Sequence, residues 1–321
     1  MTRKPSVCQE IEPALVATAI GDADSATATR VEAHTRACAR CRENLVRYGA
    51  IERAVGVWRG APAPAEELAR ERLTSRLADL RRRTLLYRIF PSPLGPILIA
   101  RSEEGVSCIE YLTGGSDFAH SRLSRDESIE ALQDGAEVEG LYRDLLEYVE
   151  GRRTRLEWPL DLRLARSPFH RAVLQATAAV PYGAVTSYAG IAGEIGAPRA
   201  VRAVAQALRH NPVPIIVPCH RIIGTSGDLI GYAGNRVGLK ERLLAVEGVP
   251  TERGARAPRV ARRVLYHYDR NDERQYCLPT CGSIARRPIG RVTLLASREL
   301  AQTLGLVPCT DCRPDLHPIS R

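Results

Sequence analysis

The sequence predicts a multidomain α/β protein in which a small helical metal module and a small α+β metal module flank a larger mixed region. Three observations carry this. Seven of the nine cysteines fall in two clusters, at residues 8–41 and 277–312. Between them, alternating apolar residues over Tyr87–Leu112 give way to helical spacing after Val138. Stretches rich in Pro and Ala, or in charge, separate the parts. The boundaries read as a module at 1–58, a linker and helix at 59–83, a central region at 84–250, a basic linker at 251–263 and a last module at 264–321.

With 321 residues and 44% hydrophobic content, the chain can bury ordinary globular cores. Its net charge of +9 suits a polyanionic partner. It has no apolar run long enough to cross a membrane, so no membrane partner is expected. Met1-Thr2-Arg3-Lys4-Pro5 has no apolar segment behind it, so a cytoplasmic location follows, with nucleoid association for a DNA-bound protein. In a reducing compartment, cysteines point to metal or catalysis rather than disulfides.

In the first module, His34, Cys38 and Cys41 form a His-x3-Cys-x2-Cys cluster, read as one helical face, and Cys8 can complete it from a preceding helix. Four N/S ligands with no open position describe a structural zinc site. Gly60-Ala61-Pro62-Ala63-Pro64-Ala65 is a linker by composition. Glu66–Arg83 is a charged helix whose leucines (Leu68, Leu73, Leu77, Leu80) make a partial stripe, read as solvated.

In the central region, Tyr87–Leu112 reads as strands, with Cys108 buried as a small hydrophobe. Thr113–Asp134 reads as a loop with little function of its own. Val138–Glu150 is a helix stopped at Gly151. Ser167-Pro168 opens another, which ends before Pro181. Thr186 or Ser187 caps a short helix, and Pro198 opens a second one running to His210; the pair reads as a helix-turn-helix. The run Val213–Val217 reads as a short buried strand ending at Pro218-Cys219-His220-Arg221. A cysteine followed by histidine can be an activated nucleophile or a structural thiol.

Several segments together resemble the O6-alkylguanine-DNA alkyltransferases. They are Ser92-Pro93-Leu94-Gly95, Pro181-Tyr182-Gly183, Ser187-Tyr188, Ala200-Val201-Arg202-Ala203-Val204, Asn211–Gly224 and Leu243-Leu244-Ala245-Val246-Glu247-Gly248. The resemblance spans about Leu86 to Gly248, roughly half the chain, in consistent order. It implies an RNase H-like small sheet domain followed by a helical domain whose helix-turn-helix enters the minor groove of double-stranded DNA. It implies irreversible, single-turnover repair of O6-alkylguanine, with O4-alkylthymine as a further substrate, after base flipping. Carried over residue by residue, Cys219 accepts the alkyl group, His220 is the base through a water, and Glu247 orients His220. Asn211 ties the helix-turn-helix to the active-site segment, and Tyr188 turns the nucleotide and protonates the leaving guanine. Arg202 fills the vacated stack, with Ala203 and Arg209 beside it on the DNA. Tyr232, Ala233 and Gly234 hold the flipped base, while Asn235 departs from the glycine many members carry there. Lys240 is structural. No small-molecule methyl donor is expected.

The first module resembles zinc-binding anti-sigma factor domains, which implies a sigma factor as a partner. The last holds Cys277, Cys281, Cys309 and Cys312 as a Cys-x3-Cys and Cys-x2-Cys set, the pattern of a tetrathiolate zinc site. It resembles the metal-binding domain of the bacterial Ada adaptive-response proteins, where the thiolate matching Cys277 takes methyl groups from phosphotriesters. Here that domain stands last and no activator domain follows, so Cys277 has two readings: a second methyl acceptor, or a ligand of a structural module that adds DNA affinity through Arg286, Arg287, Arg291 and Arg313. Two alternatives to repair remain: a lesion-responsive transcriptional regulator acting through the zinc modules, and a protein that flags lesions without transfer, against which Cys219 argues.

Overall fold

The computed structural model describes residues 7–58, 64–112, 117–234, 236–255, 257–269 and 274–319. The linker residues before Pro64 and the departing Asn235 lie outside these. The chain divides into two compact units, Met1–Ala78 and Asp79–Arg321.

In the first unit, α1 (Val7–Ala19), α2 (Ser25–Ala37) and α3 (Ala39–Trp58) pack on a small core of Ile11, Ala14, Leu15, Val31 and Cys41. Asp24 caps α2 by accepting from the Thr27 amide at 2.7 Å. The expected continuous helical face through His34, Cys38 and Cys41 is broken: Cys38 is extended (φ −119°, ψ 106°) and separates α2 from α3. The break turns Cys41 back toward His34. Helix α4 (Pro64–Arg83) crosses the division, and Leu68, Leu73, Leu77 and Leu80 are exposed on it, as expected of a solvated helix.

The second unit begins with a four-stranded sheet ordered β3-β2-β1-β4, built from β1 (Thr84–Phe90), β2 (Ile97–Arg101), β3 (Val106–Tyr111) and β4 (Glu130–Gln133). Strand β3 buries Cys108 completely. The segment expected to be a loop is partly ordered into short 3-10 turns at Phe118–His120 and Leu123–Arg125, and β4 pairs parallel with β1; residues 113–116 lie outside the described set. Helix α5 (Ala136–Val149) covers the sheet with Val138, Leu145 and Tyr148, and Gly151 (φ 75°) turns the chain away.

Helix α6 (Pro168–Ala178) is capped by Ser167, and β5 (Ala184–Ser187) follows. Ser187 caps α7 (Tyr188–Glu194), and α8 (Val201–Arg209) completes the helix-turn-helix. Helix α8 starts three residues later than expected from Pro198, because residues 198–200 form a turn closed by the Ala200 amide on the Ala197 carbonyl at 2.8 Å. The expected strand at Val213–Val217 is instead a tight turn, closed by a bridge between Pro214 and Val217, with Ile215 at φ 77°. Pro214 and Pro218 lack the amide donors a ladder needs. The chain then gives β6 (Ile222–Ile223) and α9 (Val237–Val246).

Residues 251–263 are not a free linker. Strands β7 (Thr251–Glu252) and β8 (Arg259–Val260) form a hairpin that buries Val260. Strands β9 (Tyr266–Asp269), β10 (Gln275–Cys277), β11 (Val292–Leu295), helix α10 (Arg298–Thr303) and β12 (Val307–Pro308) complete the chain. Strand β11 pairs antiparallel with β5 (Leu294 on Val185, Leu295 on Ala184), giving one six-stranded sheet, β12-β10-β9-β11-β5-β6. The C-terminal segment is thus hydrogen-bonded to the strand that enters the helix-turn-helix.

Candidate active site

Cys219 opens a 3-10 turn just beyond the Pro214–Val217 bridge. It lies at a cavity of about 300 Å³ walled by Tyr188, by Ala205, Gln206, Leu208 and Arg209 of α8, and by the loop Ile230–Gly234. That loop follows a tight path: Gly231, Ala233 and Gly234 all have positive φ (58°, 40° and 81°), a conformation glycine adopts without steric cost. The loop can therefore lie close against the thiol. Tyr232 is buried, and its hydroxyl meets that of Tyr111 at 2.8 Å. The Tyr188 hydroxyl donates to the Ile230 carbonyl at 3.0 Å.

Asn211 ends the helix-turn-helix and reaches the thiol directly. Its Nδ2 donates to the Val217 carbonyl at 2.8 Å and to Cys219 Sγ at 3.2 Å, while its Oδ1 accepts from the Val213 amide at 3.0 Å. One side chain thus fixes the turn and supports negative charge on sulfur. Burial pushes the Cys219 thiol up; the Asn211 contact and the charges of Lys240 and Arg122 oppose this without reversing it. The resting group is a thiol.

Behind Cys219, His220 is fully buried, and its Nε2 lies 2.5 Å from Glu247 Oε1. The carboxylate can only accept, so Nε2 carries the proton and Nδ1 keeps a free lone pair; Nδ1 has no hydrogen-bond partner among the described residues. Burial holds the imidazole below its usual range, against the pull of Glu247. Glu247 Oε1 also accepts from the Tyr148 hydroxyl (2.5 Å) and Arg221 Nη2 (3.1 Å); Oε2 accepts from Arg221 Nε (2.9 Å) and the Gly183 amide (3.1 Å). Burial alone would raise this carboxyl, but His220 and Arg221 outweigh it and bring it to about 2. The ion pair is therefore Arg221 with Glu247, and His220 stays neutral beside it.

The structure brings Cys219, His220, Glu247, Asn211 and Tyr188 together. It sets Tyr232, Ala233, Gly234 and Arg209 on the cavity wall, and it leaves Arg202 and Ala203 exposed on α8. Three participants, Arg221, Tyr148 and Arg122, escaped sequence reasoning. Arg221 and Tyr148 hold Glu247. Lys240, read from the sequence as structural, is buried, lowered to about 8 by burial, and donates to the Ile222 and Ile230 carbonyls, joining the strand after Cys219 to the pocket loop. Arg122, from the presumed inert loop, donates to the Asn211 carbonyl at 3.2 Å. Arg221 adjoins His220 and was the most visible of these; nothing local marked Tyr148 or Arg122.

Elsewhere the ligand atoms of Cys8, His34, Cys38 and Cys41 lie within 4.8 Å of one another, as do those of Cys277, Cys281, Cys309 and Cys312, so each set could hold a metal ion.

A buried thiol backed by an imidazole–carboxylate pair is the constellation of a nucleophilic-cysteine protein, here one that also carries a helix-turn-helix. Two family descriptions match in succession: "6-O-methylguanine DNA methyltransferase, ribonuclease-like domain" over residues 85–162, and "6-O-methylguanine DNA methyltransferase, DNA binding domain" over 168–249. A methylated-DNA–protein-cysteine methyltransferase of Methanosarcina acetivorans is 37% identical over 166 residues, 51% of this chain and 99% of that protein. The constitutive enzyme of that name from Bacillus subtilis is 36% identical over 163 residues, 51% of this chain and 95% of its own. A solved structure of the Mycobacterium tuberculosis O6-methylguanine methyltransferase is 38% identical, covering 51% of this chain and 92% of that one, with a TM-score of 0.44. The chain belongs to the methylated-DNA–protein-cysteine methyltransferase family.

Proposed function

We propose that this chain repairs double-stranded DNA directly, moving the alkyl group of O6-alkylguanine, and of O4-alkylthymine, onto Cys219 in a single irreversible turnover. The contact of Asn211 with a thiol that faces the cavity carries this reading. The lesion is flipped past α8 into the cavity, with Arg202 filling the vacated stack and Ala203 and Arg209 against the DNA. Tyr232, Ala233 and Gly234 hold the base.

The thiol proton passes through a bridging water to His220 Nδ1, the one imidazole nitrogen free to accept. Sulfur attacks the alkyl carbon in line, an S–C bond forms, and the C–O bond breaks with its electron pair leaving on guanine. Tyr188 shifts from the Ile230 carbonyl and gives its proton to that guanine, and the proton held by His220 restores the phenol. In sum, the thiol hydrogen goes to guanine and the alkyl group to sulfur. Glu247 stabilises the transient imidazolium, as it would in other nucleophile–base pairs. The thioether has no leaving group to release, so one molecule repairs one lesion.

Both cysteine clusters are assigned as structural zinc sites. A tetrahedral zinc with bonds of about 2.3 Å holds sulfurs about 3.8 Å apart; Cys8 and Cys38 lie 3.9 Å apart, and Cys281 and Cys309 4.0 Å. Zinc would hold these short segments in shape, and Cys277, whose sulfur lies within 4.8 Å of the other three thiols of its set, serves as a ligand rather than a second acceptor. The partner assigned to the first unit is a sigma factor; a pull-down that recovers one, lost on Cys38→Ser, tests this. The protein works in the cytoplasm on the nucleoid. Incubation with duplex DNA carrying labelled O6-methylguanine tests the whole reading: stoichiometric label on wild-type protein and none on Cys219→Ala is expected, and labelled Cys219→Ala would refute it.

A further inference from the structure

The four arginines that the C-terminal segment offers to DNA are not equivalent in the fold. Arg287 pairs with Asp269, and Arg313 pairs with Asp315 at 2.7 Å, so carboxylates offset their charge. Arg286 and Arg291 are exposed and enter no ion pair among the described residues. Of these two, Arg291 lines a cleft with Ala189, Gly193 and Glu194 of α7 and with Pro198 of the turn before α8.

That placement is built into the backbone. Arg291 immediately precedes β11, whose pairing with β5 leads within three residues to Tyr188 and α7. A Cβ on Gly290 would lie 3.3 Å from the Ala189 Cβ, and one on Gly190 would lie 2.5 Å from Thr186 Oγ1 and 3.7 Å from the Gly290 carbonyl. Two glycines thus let the turn Ile289–Arg291 lie directly against α7. Tyr188, the first residue of α7, also walls the cavity. A duplex strand running along α7 from Tyr188 would meet this guanidinium.

We propose that Arg291 binds a phosphodiester of the duplex engaged by α8, so that the C-terminal segment widens the DNA footprint of the helix-turn-helix. This rests on the direct-repair reading above. The contact is to backbone rather than base: the side chain lies beside the two helices, and Glu194 in the same cleft disfavours a deeply held anion. Guanidinium–phosphate contact of this kind positions DNA without reading sequence.

The test is full-chain binding to an unmodified duplex across a salt series. Each phosphate contact contributes about 0.9 to the slope of log affinity against log salt. Arg291→Gln should lower the slope by about that amount and weaken low-salt binding severalfold. Arg291→Lys should keep the slope, and Arg287→Gln, already paired, should leave it at the wild-type value. Melting and zinc content of each variant verify the fold. A wild-type slope and affinity in both Arg291→Gln and Arg291→Glu would overturn the proposal. Wild-type labelling by free O6-benzylguanine reports on the repair reading alone. Its absence would remove that reading, whereas labelling with an unmoved slope would remove only the role of Arg291.

Discussion

On Glu247, donors from four residues converge, and this sets the protonation of everything behind the thiol. Its folded pKa, about 2, is depressed from an ordinary 4.5. The contribution to stability is therefore complete above the unfolded value and lost as pH falls through the folded one. We expect about 3 kcal/mol of unfolding free energy to disappear between about pH 4.5 and 2, measurable by denaturant titration across that window. Glu247→Gln should cost about 3–5 kcal/mol, because Arg221 would keep a buried charge without its counter-ion; an unchanged melting temperature would contradict the pairing. Transfer should slow in acid as His220 protonates, below its usual range because burial depresses it, and should rise with alkali because burial holds Cys219 as a thiol. Stopped-time labelling across pH measures both limbs.

Helix α8 shows what an element adds to its residues. Val204, Ala207 and Leu208 bury one face, and Arg202 and Ala203 stand on the other. If Arg202 occupies the gap left by the flipped base, Arg202→Ala should slow repair of duplex lesions by an order of magnitude or more, yet leave reaction with free O6-benzylguanine nearly intact. Equal losses on both substrates would remove that role. The helix-turn-helix was legible because Ser187 and the small-residue spacing of α8 are local signals. The turn at Val213–Val217 was misread as a strand because apolar runs do not distinguish the two, and the decisive feature, Ile215 at φ 77°, depends on what Asn211 holds in place. Arg122 was invisible for the same reason: its partner, the Asn211 carbonyl, is 89 residues away.

Over the whole molecule, the six-stranded sheet makes the C-terminal cysteine cluster part of the repair unit. Strands β5 and β11 are short and lie about a hundred residues apart, with no pattern tying one to the other, so sequence suggested a separate module behind a linker. Pairing instead joins Cys277 on β10, through β9 and β11, to the strand that ends at Ser187, one residue before Tyr188. Cys281→Ser or chelation should therefore lower the melting temperature of residues 79–321 by several degrees and slow transfer with it, whereas Cys38→Ser should leave that transition in place. Calorimetry of the full chain separates the two. The central claim is that Cys219 alone receives the alkyl group. Intact-protein mass spectrometry with peptide mapping, after incubation with DNA bearing methylguanine and methyl phosphotriesters, tests it most directly. One added methyl, on Cys219, is the expected result; a methyl on Cys277, with or without one on Cys219, or none on either, would contradict it.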